Sequence, residues 1–274
     1  MVFKVENVTD RIYRIKMPFV CSYLIVGDEK AVMLDTGWGY GDIKEVAESI
    51  TDLPMTLILS HGHPDHLGSA GQFEEAYLHE KDFEMVPSQS ATDLRRRLML
   101  QYVRKDFEEN PDLWQEPREA SYTPLTEDMT FDLGGLTIQP FLVPGHSPGH
   151  MVFIIPEERI AIFGDAISHP TLIVFENSSS IQEHHDAMVA LKKYDHLYDR
   201  VLVNHMTYEL DKVVLDNNIQ LAKEILNGED AQLPASKRTQ AMADKKVYTA
   251  RKRKRWLPDD SKEIGNIYYR EDKI

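Results

Sequence analysis

Within six residues, His61-Gly62-His63-Pro64-Asp65-His66 gathers three imidazoles and a carboxylate, all of them ligands for first-row divalent ions. Gly62 has no side chain, so both flanking imidazoles can turn toward one ion while the backbone bends tightly. Neighbours on an extended segment point in different directions, so positions 61, 63, 65 and 66 are served more readily by two ions than by one. Farther along, Pro144-Gly145-His146 offers a rigid loop suited to completing a three-histidine site with His61 and His63. Asp165 follows a glycine, and its two oxygens can bridge two cations in a way one imidazole nitrogen cannot. His205 completes the second ion. Water held between ions roughly 3.5–4 Å apart is largely deprotonated near pH 7, which supplies a nucleophile without an attacking protein side chain. Hydrolysis is the natural reaction class, with Asp65 expected to serve catalysis as well as metal binding.

These residues need strands to present them. Apolar β-type runs at 11–16, 20–26 and 31–34 predict an antiparallel meander, and Asp35-Thr36-Gly37 closes the third. Ile43, Val46, Ala47 and Ile50 recur at helical spacing, and the buried-type strand 55–59 then delivers the chain into the His61 cluster. After a strand at 76–79, residues 80–109 read as helical, inside a helical insertion spanning about 80–127 that would lie over the site and shape the substrate pocket. Strands at 136–143, 151–155 and 159–163 follow, the first two joined by the loop bearing His146 and the third leading to Asp165. Helix 181–194, strand 201–203, His205 and helix 213–226, stopped by Gly228, complete a domain expected over 1–228. Residues 229–274 form a C-terminal extension expected to pack on it, with 266–269 returning as an edge strand.

Bulk properties narrow the class. With 42% hydrophobic and 28% charged residues among 274, the composition is that of an ordinary globular protein. No stretch approaches the roughly 20 apolar residues of a membrane span, and the first ten residues are too polar to open a signal peptide, so a cytoplasmic location with no membrane partner is expected. Cys21 is the single cysteine, read as a small buried strand residue, which excludes a disulfide framework or a Cys-rich zinc module. A net charge of −14 disfavours nucleic acid as a partner, although residues 251–255 are wholly basic. Their simplest reading is a solvated segment.

Taken together, His61-Gly62-His63-Pro64-Asp65-His66, Pro144-Gly145-His146, Phe163-Gly164-Asp165 and His205 resemble the metallo-β-lactamase-fold hydrolase superfamily, in the right order, over residues 1 to about 227. The resemblance implies an α/β fold, an αββα sandwich of two mixed β-sheets flanked by helices. It places His61, His63 and His146 on one metal, Asp65, His66 and His205 on the other, and Asp165 between them. Asp35 resembles the family's structural aspartate behind the metal loop. In wording and length the chain is most similar to glyoxalase II-type thioesterases and acyl-homoserine lactonases. It departs from the family at Val203-Asn204-His205-Met206, where the histidine is commonly flanked by glycine, and 229–274 carry no recognisable glutathione-binding pattern. Classical β-lactamases are disfavoured, since their usual pattern lacks the full combination of Asp65, His66 and Asp165.

An isolated His-x-His is more often a surface or core pair than a ligand set, and what carries weight here is the ordered set of seven. His79, His150, His169, His184, His185 and His196 are read as packing or surface residues, His150 also as a support to the ligands. Tyr208, three residues beyond His205, is the candidate hydrogen-bond donor to an oxyanion, beside a packing role. The leading expectation is hydrolysis of a small-molecule ester, thioester or lactone with two divalent ions, zinc first, manganese or iron as alternatives. A phosphodiesterase or ribonuclease-type hydrolase, or a di-iron oxidoreductase, is the alternative. The di-iron branch usually has an acidic residue where His63 stands.

Overall fold

Alternating and continuous apolar runs in the first quarter of the chain build a mixed sheet. In this computed structural model, which describes residues 2–103, 107–251 and 264–274, the chain divides into two compact units, Met1–Ile138 with Asn204–Met206, and Gln139–Val203 with Thr207–Ile274. The first unit holds a seven-stranded sheet in sequential order: β1 (Lys4–Asn7), β2 (Ile12–Lys16), β3 (Cys21–Val26), β4 (Ala31–Leu34), β5 (Met55–Ile58), β6 (Ala76–Leu78) and β7 (Thr123–Pro124). Strands β1 to β4 pair antiparallel, whereas β4, β5, β6 and β7 run parallel. Such a change is expected where a helix, α1 (Ile43–Glu48), carries the chain back over the sheet. Asp42 caps that helix by accepting from the Glu45 amide at 2.8 Å. The β1 strand, absent from the sequence reading, is polar and exposed, with Lys4 and Glu6 on the open edge where charge discourages pairing with another chain.

The predicted single helix over 80–109 is broken in the structure. A 3₁₀ turn at Glu80–Met85 leads into α2 (Val86–Gln89) and α3 (Thr92–Met99). Pro87 has no amide to continue a helix from upstream and is tolerated only in the first turn, so the chain restarts there. Arg95 of α3 is fully buried, and its guanidinium donates to the carbonyls of Ser90, Trp38 and Gln115 at 2.8, 2.8 and 2.6 Å. Desolvation pulls its pKa down to about 10, which still leaves it charged at neutral pH. A short strand β8 (Phe131–Asp132) pairs with Thr137 and Ile138 at the start of β9 (Thr137–Leu142), the strand within which the unit boundary falls.

In the second unit, β9 and β10 (Met151–Ile155) pair antiparallel, β10 pairs antiparallel with β11 (Ile160–Ile162), and β11 runs parallel to β13 (Arg200–Leu202), which is edged by β14 (Glu209–Leu210). Helix α4 (Ile181–Leu191) opens with a capping box between Ser180 and Glu183. It packs with α5 (Val213–Leu226), whose Val214, Asn218, Leu221, Ala222 and Ile225 recur at helical spacing on the buried face. A further sheet joins β12 (Thr171–Ile173), β17 (Asn266–Arg270), β16 (Val247–Arg251) and β15 (Leu233–Pro234) in that order. The run at 266–269 is thus an interior strand rather than the expected edge strand. It has β12 on one side and β16 on the other, and four of its five residues, Asn266, Ile267, Tyr269 and Arg270, are almost wholly buried. Of the basic run 251–255, residues 252–255 lie outside the described residues. Among the described residues no helix is long and apolar enough to cross a membrane.

Candidate metal centre

Because β4 and β5 are parallel neighbours, the residues that follow them leave the sheet at the same end, bringing Asp35 to Ser60 and His61. Asp35 adopts a φ of 63°, a left-handed conformation that aspartate tolerates better than most residues. Its buried carboxylate accepts from the Ser60 amide (2.7 Å) and hydroxyl (2.8 Å), from His66 Nδ1 (2.9 Å) and from Asn204 Nδ2 (3.1 Å). One carboxylate therefore ties together the ends of two strands, the metal loop and the segment preceding His205. The Ser60 hydroxyl spends its single proton on Asp35, so toward His61 Nδ1, 2.9 Å away, it acts as acceptor. His205 Nδ1 donates to the Phe19 carbonyl at 2.8 Å. In all three rings the proton sits on Nδ1, which leaves Nε2 as the lone-pair nitrogen that a cation requires.

Those nitrogens converge. Asp65 Oδ1 lies 3.7 Å from His66 Nε2, and Asp65 Oδ2 lies 3.4 Å from His205 Nε2. Two donors each 2.0–2.1 Å from one tetrahedral ion stand roughly 3.3–3.5 Å apart, so this trio matches a single-ion donor set. The His61 ring packs 4.1 Å from that of His66 and edge-on to that of His63 at 4.7 Å. A Cβ on Gly62 would meet the Met85 side chain at 2.9 Å, and the Gly62 amide donates to the buried Asp82 carboxylate at 2.9 Å.

In the second unit, antiparallel pairing of β10 with both β9 and β11 places the 143–150 loop and the residues after β11 at one end of the sheet. His146 Nε2 lies 3.6 Å from Asp165 Oδ2, again close to the donor spacing at one ion. His146 Nδ1 donates to the Leu172 carbonyl at 2.8 Å, so this ring too offers Nε2. Three consecutive carbonyls of the loop are held from one segment: Pro144 accepts from His184 Nδ1 (2.7 Å), Gly145 from the Ser179 amide (2.9 Å) and His146 from the Ser178 hydroxyl (3.0 Å). A Cβ on Gly145 would meet His184 Nδ1 at 2.5 Å. His150 Nε2 accepts from the Asp165 amide at 3.2 Å, a supporting contact rather than a surface role. In both units, imidazoles oriented through Nδ1 and set beside carboxylates fit divalent metal.

Residues 18–209 match the profile of a family described as the metallo-beta-lactamase superfamily. The chain belongs to this superfamily. It is 28% identical over 159 residues to a hydroxyacylglutathione hydrolase of Haemophilus influenzae, a match covering 54% of this chain and 66% of that one. Over 175 residues it is 27% identical to an atrochrysone carboxyl ACP thioesterase of Claviceps purpurea, covering 60% and 47%. The chain thus spans less than two-thirds of these curated relatives' lengths. Among solved structures, a metallo-beta-lactamase from Pontibacter korlensis superposes with a TM-score of 0.59 at 16% identity over 81% of this chain and 99% of that one. An inverting sec-alkylsulfatase from Pseudomonas sp. gives 0.63 at 14% identity over 82% and 42%. These likenesses establish the metallo-β-lactamase fold.

In this superfamily member several supporting residues escaped the sequence reading. Asp82 serves an amide 20 positions earlier and stands in no motif. Asn204 had a signal in the departure from the family's flanking glycine: its side chain donates to Cys21 O at 2.7 Å as well as to Asp35. Tyr208, already the candidate oxyanion donor from the sequence, has a φ of 61°, and its carbonyl accepts from the Val203 amide at 3.1 Å. His184, read as a packing residue, is fully buried, and desolvation pushes its ring from 6.5 down to about 4. The folded chain therefore keeps this ring neutral while the unfolded chain protonates it below pH 6.5. Its contribution is complete above pH 6.5 and is lost as pH falls toward 4, amounting to about 3 kcal/mol at 1.36 kcal/mol per pH unit. In His184→Asn, whose amide can still donate to Pro144 O, urea unfolding of metal-free protein should show a decline shallower by up to that amount. Parallel declines in variant and wild type would contradict the assignment.

Proposed function

We propose that this chain hydrolyses an ester, thioester or lactone of a small molecule at a dinuclear divalent metal centre. The observation that carries the reading is the matched pair of half-sites, Asp65 with His66 and His205, and His146 with Asp165, whose donors lie 3.4–3.7 Å apart with the ring protons parked on Nδ1. In this reading His61, His63 and His146 hold one ion, Asp65, His66 and His205 the other, and Asp165 serves both. When bound, the ions supply Lewis acidity toward a carbonyl and lower the pKa of water toward neutrality. Imidazole and carboxylate donors suit zinc, and the same set accepts manganese or iron.

The chain's own residues then have separable tasks. Asp35, Ser60 and the carbonyls of Phe19 and Leu172 fix the ring orientations before any ligand arrives, which removes a reorganisation cost. Phe19, at a φ of 70°, stacks on Tyr102 with centroids 3.9 Å apart and lies 4.8 Å from the His205 ring. An apolar wall beside a ligand favours an acyl group over a phosphate, as does the net charge of −14. Tyr208 is assigned the donor role toward the developing oxyanion.

The test is turnover of generic thioester and lactone substrates beside a bis-aryl phosphodiester, with metal content measured on the same sample. Thioester or lactone hydrolysis with two ions per chain is expected, and Tyr208→Phe should lower kcat with both ions retained. Turnover of the phosphodiester alone, full activity with one ion, or two irons with oxygen reduction would overturn the reading.

A further inference from the structure

The strand and turn that hold His146 are themselves held by residues far outside the region matched by the superfamily profile. Leu172, whose carbonyl takes the His146 Nδ1 proton, is the middle residue of β12. That strand lies at the edge of its sheet, paired with β17 through Thr171↔Ile267, Leu172↔Tyr268 and Ile173↔Tyr269. Three residues past β17, Lys273 Nζ donates to the carbonyls of Glu176, at 2.8 Å, and Ser178. Ser178 in turn accepts from the Phe175 amide (3.2 Å) and donates to the His146 carbonyl (3.0 Å), while the Phe175 ring stands edge-on to the His146 ring at 5.4 Å. The turn 175–178 thus touches His146 through both its backbone and its ring, and Lys273 draws two carbonyls of that turn to one point.

We propose that Lys273 is a positioning residue for the metal ligand His146. Two carbonyl dipoles aimed at one point repel each other, and an ammonium satisfies both at once, so the turn keeps the geometry in which the Ser178 hydroxyl reaches His146. Without the ammonium those carbonyls turn to water, the Ser178 contact with the His146 backbone loosens, and the imidazole loses part of what fixes its position. The inference rests on His146 being a metal ligand. Direct partners of a ligand typically alter metal affinity about 10–100-fold, and Lys273 acts through one of them, Ser178.

The experiment measures both ion affinities by chelator competition, and the absorption bands of the cobalt-substituted protein, in wild type and four variants. His146→Ala tests the underlying reading: if it keeps both ions at wild-type affinity, the ligand assignment falls, and this inference with it. Given loss of one ion there, Lys273→Met should weaken that same ion roughly tenfold, the lower end of the range for direct partners, and shift its cobalt bands, with the second ion unchanged. Lys273→Arg should restore most of the affinity. Lys245→Met is the control, since Lys245 pairs with Asp272 at 3.0 Å beside Lys273, and it should change neither ion. Unaltered affinity and bands in Lys273→Met, or equal weakening of both ions without rescue by arginine, would overturn the proposal.

Discussion

Alanine at Asp165 is expected to lower hydrolytic turnover by at least about a thousandfold while leaving the chain folded. The residue sits beyond β11 with its amide held by His150 Nε2, and its half-buried carboxylate faces His146 Nε2 at 3.6 Å. Removing it leaves no large cavity in the apolar core. In the proposed reading the variant loses a ligand that both ions would share, worth several kcal/mol of transition-state stabilisation, and each 1.36 kcal/mol is a factor of ten in rate. Steady-state turnover of a thioester by Asp165→Ala, with metal content and circular dichroism measured on the same sample, checks this. Wild-type rates in a metal-verified variant would contradict it.

The Asp35→Ala variant should fail differently, losing stability first. Its carboxylate accepts four hydrogen bonds, from Ser60 N, Ser60 Oγ, His66 Nδ1 and Asn204 Nδ2, and all of these donors are buried. A buried donor stripped of its acceptor costs about 1–3 kcal/mol, and alanine in a left-handed conformation adds about 1–2 kcal/mol. Allowing for relaxation and entering water, a net loss of about 3–5 kcal/mol is expected, together with weakened metal binding as His66 loses its orientation. Asp35→Asn keeps the tolerance for a φ of 63° and one acceptor oxygen, so its loss should be smaller. Urea titration reads the effect as a lowered midpoint at unchanged slope. An unshifted midpoint in the alanine variant would show that the hub contributes nothing.

The two variants separate what was legible in the sequence from what was not. Asp165 stood out because a carboxylate after a strand and a glycine carries its own signal of chemistry. Asp35 was marked through the resemblance as a structural aspartate, but its four donors were not legible, because they come from positions 60, 66 and 204, brought to it by parallel pairing and by a distant loop. Asp82, His184 and Lys273 are harder still, since each acts on a backbone group 20 to 97 positions away and no local pattern marks a partner for a carbonyl or an amide. The break at Pro87 in the expected long helix could be read locally in retrospect. The interior place of β17 could not, because strand order depends on β12, almost a hundred residues earlier.

The residues alone determined the inventory of candidate donors and its order, the strand-then-loop placement of these donors, and the exclusion of a disulfide framework. These are set by residue type and spacings of a few positions, which backbone geometry converts directly into local structure. Only the tertiary structure decided which nitrogen of each ring is left for an ion and which carbonyls and carboxylates hold the rings in place. A proton's position on an imidazole is set by the hydrogen bond on its other side, and that acceptor arrives from wherever the fold brings it.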